Sequence, residues 1–194
     1  MLMALSLLAI SCSVMDAQSY PAASTMSTSK NLLTPRMRAA FLQQIATEQY
    51  SANLYLTFAS YFGDLGLDGC EGFFRASAKE EGEHALLFYN LLVDRGEKFQ
   101  LSVVNAVDVM PTSPLDAFVK HLENEIRVTT AIHNLYAIAV EEQDFASQAF
   151  LYPFLLLQVQ EEKEAQDMVQ LLEQGGDNPA FLLVFDNKLK EAAE

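Results

Sequence analysis

Glu81-Gly82-Glu83-His84 is the stretch on which the reading of this chain turns. A glutamate followed three residues later by a histidine puts both side chains on neighbouring positions of one helix face. The pair also arises by chance on solvated helices, so its setting decides its meaning. Around it Phe74, Ala78, Glu81, Ala85, Phe88 and Leu92 recur at spacings of four and three, which is one apolar helical stripe. Glu81 interrupts that stripe where an apolar side chain belongs, and His84 flanks it.

The same interruption recurs along the chain. Thr34-Pro35 reads as a helix start, a capping hydroxyl followed by proline at the first helical position. From Pro35 to about Phe62 the stripe is Phe41, Ile45, Glu48, Ala52, Tyr55, Ala59, Phe62, and Gly63-Asp64-Leu65-Gly66 ends it. Asp68 is the expected cap of the helix that holds Glu81, with Gly96 as its stop. Ser113-Pro114 starts a third helix to about Glu142, with the stripe Phe118, Leu122, Glu125, Thr129, Ile132, Tyr136, Ala139. Asp144 caps a fourth, which Gly175-Gly176 ends; its stripe is Leu151, Phe154, Gln158, Glu161, Ala165, Met168, Leu172, and Pro153 is expected to kink it. A short amphipathic segment, Ala180 to about Ala192, follows and is expected outside the bundle or at an oligomer contact.

Lys98 to Thr112 has no helical period, and its length suits a crossover along a whole bundle rather than a hairpin link. The expected fold is therefore all-α: an up-down-down-up four-helix bundle with a long connection between its second and third helices and a short fifth helix. Residues 1–31 read as a targeting leader or extension, and 32–194 as the folded domain. Met1 to Ile10 is apolar but too short to span a bilayer, no Lys or Arg precedes it, and a Ser-, Ala- and Thr-rich stretch follows.

Composition narrows the partners. The chain has 194 residues, 51% hydrophobic and 20% charged, which fits one folded domain with a sizeable core. A formal net charge of -14 argues against nucleic acid and anionic membranes and suits cations. Two cysteines, Cys12 and Cys70, offer neither a disulfide framework nor zinc spacing.

Glu48, Glu81, Glu125 and Glu161 each fall near the middle of their helix, so aligned helices bring them to one level. An unpaired buried carboxylate costs several kcal/mol, and four would repel one another. Raised pKa values are one escape; bound cations are the other. Four carboxylates and a neutral imidazole balance two divalent cations. Oxygen ligands with one nitrogen suit iron(II), manganese or zinc. Tyr55, two turns along the face from Glu48, reads as a hydrogen-bond donor to a ligand, a one-electron donor, or a core tyrosine.

The ordered set Glu48-Gln49-Tyr50 with Tyr55, Glu81-x-x-His84, Glu125 and Gln158-x-x-Glu161 resembles the ferritin family over about residues 32–192. Phe181-Leu182-Leu183-Val184-Phe185-Asp186-Asn187 is similar to the closing segment of microbial and algal-type ferritins. The resemblance implies a hollow homo-oligomeric cage of 24 subunits and a ferroxidase that oxidises Fe(II) with dioxygen and stores ferric mineral. It implies that Glu48, Glu81 and His84 bind the first iron, that Glu81 bridges to the second, and that Glu125 and Glu161 complete that site. It makes Gln158 a weak ligand or a neighbour of the oxygen-binding face.

Departures sharpen the expectation. A second Glu-x-x-His, as in bacterioferritins, is replaced by Gln158-x-x-Glu161, which disfavours a non-cage di-iron oxidase. Gly82 stands where a haem-ligating methionine would be, so no haem is expected. Glu80 persists, but Ser77, Leu157 and Gln160 replace acids of a third iron site, and Gln148 and Leu151 replace the acids of an entry channel. A non-catalytic interaction bundle would want an apolar seam, which four glutamates deny it. A leader on such a protein suits a plastid or a secretory route, with the cytoplasm as alternative; no membrane is expected for the mature form.

Overall fold

The computed structural model describes residues 33–176 and 178–192. The expected leader lies outside them. The described elements are α1 (Pro35–Leu65), α2 (Asp68–Asp94), α3 (Pro114–Glu141), α4 (Phe145–Gly175) and α5 (Pro179–Ala192), with no strand among the described residues. Among those residues, no helix is long and apolar enough to cross a membrane.

The helix starts follow local chemistry. Thr34 accepts from the Met37 amide at 3.1 Å, Ser113 from the Asp116 amide at 3.1 Å, and Asp144 from the Ser147 amide at 3.1 Å. Each satisfies an amide that has no partner inside the helix. The second helix departs from expectation. Its cap position is Leu67, without a side-chain hydrogen bond, and Asp68 sits in the first turn, where its charge faces the helix dipole. The first helix stops within the Gly63–Gly66 stretch as read: α1 passes through Gly63 and ends at left-handed Gly66, with φ of 70°. α4 runs unbroken through exposed Pro153.

Contacts between helix ends give the topology. Leu33 N donates to Glu97 at 2.9 Å, so α1 begins where α2 ends. Arg36 pairs with Glu141 at 2.5 Å, so α1 also begins where α3 ends. Arg95 grips Asp144 with both guanidinium arms, at 3.1 and 2.9 Å, tying the end of α2 to the start of α4. These ties fix α1 antiparallel to α2 and α3, and α4 antiparallel to α3: up, down, down, up. Residues 97–113 lack regular structure and, at about 3.3 Å per extended residue, can run the length of α1.

The core has two apolar halves. One gathers Phe58, Phe62, Phe74, Phe118, Leu172 and Phe185; the other gathers Phe41, Phe88, Ile132, Leu151 and Phe154. Fully burying one phenylalanine is worth roughly 1.5–3 kcal/mol, so these clusters hold the helices in register. The polar layer lies between the halves. The short fifth helix closes one end: Asp186 Oδ1 accepts the Cys70 amide at 2.8 Å, and Gly69 gives the Asp186 backbone room to approach.

Candidate metal centre

Burial of the four seam glutamates follows from where the helices put them. Glu48 is 1% exposed, Glu81 5% and Glu125 2%, while Glu161 is half-buried. His84 is buried beside them, its Nδ1 3.4 Å from Glu81 Oε2. One ligand atom each from Glu48, Glu81 and His84 lies within 4.8 Å of the others, close enough to hold a single cation. A second group of the same tightness joins His84 to Glu161 and to exposed Glu80, which opens the layer toward solvent.

Glu125 is turned to other partners. Its Oε1 accepts a hydrogen bond from the Tyr55 phenol, and His121 Nδ1 lies 3.5 Å from the same oxygen. Asn124 Nδ2 donates to the Tyr55 oxygen at 2.8 Å and to Ser51 Oγ at 3.0 Å. The Asn124 carbonyl oxygen accepts from Arg127, whose guanidinium lies 4.5 Å over the Tyr50 ring. Gln158 is buried; its Oε1 accepts from Thr129 at 2.9 Å and its amide donates to Glu161. Gln44 donates to Glu48 Oε1 at 2.8 Å.

Each carboxylate therefore has one oxygen held by the protein or near a nitrogen. The second oxygens of Glu48 and Glu125 are buried without a hydrogen-bond partner. Such an atom loses its hydration and gains nothing in return unless a proton or a cation meets it.

Electrostatics repeat the point. Burial, then the Glu81 charge, holds Glu48 well above the usual carboxylate range. Burial, then Glu125 and Glu161, does the same to Glu81. Burial raises Glu125 to about 7, and burial with the Glu125 charge raises Glu161 to about 8. Burial, then Glu125, raises Tyr55 well above its ordinary value, while burial lowers His121 to about 4 and leaves it uncharged at neutral pH. A layer that pushes every carboxylate toward its protonated form is one that a pair of divalent cations would relieve.

Sequence reasoning did not single out His121, Asn124, Ser51 or Gln44, and it placed Thr129 in the third helix's stripe without a polar role. A signal for His121 existed: it precedes Glu125 by four residues and so shares its helix face.

A four-helix bundle with a carboxylate layer across its core defines the ferritin-like class of helical bundles. The ferritin-like domain profile matches residues 38–175. A bacterial non-heme ferritin of Bacteroides fragilis is 32% identical over 155 residues, covering 78% of this chain and 96% of that protein. One from Staphylococcus aureus is 33% identical over 161 residues, covering 83% and 94%. The solved structure of an open-pore ferritin from the hyperthermophilic archaeon Archaeoglobus fulgidus is 38% identical, with a TM-score of 0.79 over 81% of this chain and 97% of that one. The chain belongs to the ferritin family.

Proposed function

We propose that this protein binds Fe(II) in pairs, oxidises it with dioxygen, and stores the ferric product inside a homo-oligomeric shell of 24 subunits. The observation that carries the reading is the pair of buried, unpartnered oxygens, Glu48 Oε2 and Glu125 Oε2, in a layer that also holds Glu81, His84 and Glu161.

In this reading Glu48, Glu81 and His84 take the first Fe(II). Glu81 bridges to the second, which Glu125 and Glu161 complete. Iron is substrate here, not resident cofactor. Two Fe(II), one dioxygen and four waters become two ferric oxyhydroxide units, one hydrogen peroxide and four protons. Each iron gives up one electron, and dioxygen accepts the pair. The side chains supply little acid–base chemistry; they hold two metals near one another with coordination positions open. Gln44 and Gln158 orient Glu48 and Glu161, as outer hydrogen bonds orient metal ligands generally. Tyr55 holds Glu125.

The test is anaerobic addition of Fe(II) to the assembled protein followed by air. Rapid oxidation saturating at two iron per chain, in a particle of cage size on gel filtration, supports the reading. Oxidation no faster than in buffer sinks it. The expected leader is part of the same proposal: N-terminal sequencing of the mature protein from its source should begin near residue 32.

A further inference from the structure

One buried polar atom is left over once the layer above has been assigned. His121 is 7% exposed, and its Nδ1 makes no hydrogen bond. Three aromatic rings close around it edge-on, Tyr55 at 4.9 Å, Phe73 at 5.6 Å and Phe74 at 5.7 Å between centroids. They give the imidazole no polar partner. Its open side lines a cavity of about 80 Å³ whose other polar walls include Glu80, Glu81, Glu125, Glu161 and Glu164. The nearest carboxylate atom is Glu125 Oε1, 3.5 Å from His121 Nδ1 and one helical turn away on α3.

Two ligand atoms on one cation, each about 2.1 Å from it at a bond angle near 110°, stand about 3.4 Å apart. The His121–Glu125 separation has that span. It is also too long and misaligned to serve as a hydrogen bond in its own right. A buried Nδ1 that makes no hydrogen bond and stands beside a carboxylate has the chemistry of a ligand atom lacking its ion.

The geometry points to His121 as a nitrogen ligand for a divalent transition-metal cation in this cavity, bound together with Glu125. The inference rests on the paired-cation reading above and deepens it. Each metal position then carries one imidazole, His84 on one side and His121 on the other. An added nitrogen shifts the second position's preference along the divalent series toward zinc, cobalt and iron and away from magnesium or calcium, which prefer oxygen alone.

The experiment uses zinc, which does not change oxidation state, on the full assembled chain in a His133→Asn background that removes the one other histidine in the sequence. X-ray absorption at the zinc edge, at two zinc per chain, counts imidazole rings by their outer scattering. With His121 a ligand, the imidazole signal per zinc falls by about half in His121→Ala, and the weaker zinc dissociation constant rises about tenfold or more in calorimetry. His84→Ala should weaken the tighter site instead. Should His121→Ala fail to assemble, His121→Gln keeps the volume and removes the ring. An unchanged imidazole signal with both zinc ions still bound overturns the inference and leaves the paired-cation reading intact. A parent protein that takes up no second zinc at the glutamate layer defeats both.

Discussion

Tyr55 donates its phenol proton to Glu125 across the α1–α3 contact, and both side chains are buried. The direction of that proton is set from behind. Arg127 holds the Asn124 carbonyl oxygen, so the Asn124 amide must point at the Tyr55 oxygen and fills its acceptor side. The phenol hydrogen then has Glu125 as its acceptor. Tyr55→Phe removes this grip on Glu125, which in the proposed function is a ligand to the second iron. The initial Fe(II) oxidation rate should fall roughly three- to tenfold, equivalent to about 1 kcal/mol, with zinc stoichiometry unchanged. Stopped-flow absorbance checks it; an unaltered rate would make Tyr55 a packing residue.

In the function proposed above, Glu81 is the ligand shared by the two cations. Its Oε2 lies 3.4 Å from His84 Nδ1, and the charges of Glu125 and Glu161 both act on it. Glu81→Ala should reduce initial oxidation on the order of 100-fold, about 2.7 kcal/mol in barrier. The particle should stay assembled, because buried repulsion is relieved rather than added. Gel filtration beside the oxidation assay separates the two effects.

The pH dependence has a definite sign. Glu125 and Glu161 have folded values of about 7 and about 8, above the ordinary value of 4.5 they recover on unfolding. The folded state therefore binds the extra protons. Its advantage is full below about pH 4.5 and is lost as pH rises through 7 and 8. The metal-free protein should melt roughly 10 °C lower at pH 8 than at pH 5, and zinc should flatten the slope. Glu125→Gln with Glu161→Gln should flatten it without metal. A melting temperature that climbs from pH 5 to 8 in the metal-free protein would reverse the assignment of burial as cause.

The fifth helix depends on a missing side chain. A Cβ at Gly69 would come 1.9 Å from the Asp186 carbonyl oxygen. Gly69→Ala must push α5 away and break the 2.8 Å bond from the Cys70 amide to Asp186. The cost should be about 1–3 kcal/mol. Hydrogen exchange should show Cys70 and α5 losing protection while early oxidation at the glutamate layer persists.

The sequence carried the bundle well where one chemistry had one outcome. Thr34-Pro35 and Ser113-Pro114 start helices as read, and the seam glutamates fall among buried residues or at their edge. Asp68 did not cap α2, because Leu67 takes the cap position and is itself buried in the core. The larger omission was on α3. A strict alternation of four and three selected Leu122, Thr129 and Tyr136, which are only half-buried. A helix at the corner of a bundle meets two neighbours and buries a wider stripe. Here that wider stripe includes His121, Asn124, Val128 and Leu135. The polar partners of Tyr55 and Glu125 lay in the part a narrow seam leaves out. Ser51, Leu54 and Phe58 on α1 were passed over for the same reason.

The central claim is that two cations sit in the glutamate layer with Glu81 between them. Crystals soaked anaerobically with Fe(II) and measured at the iron edge test it most directly. The account predicts two anomalous peaks per chain, one beside Glu48 and His84 and one beside Glu125 and Glu161, each in contact with Glu81. Iron found only on exposed acids, with the space among those four glutamates empty, would contradict it.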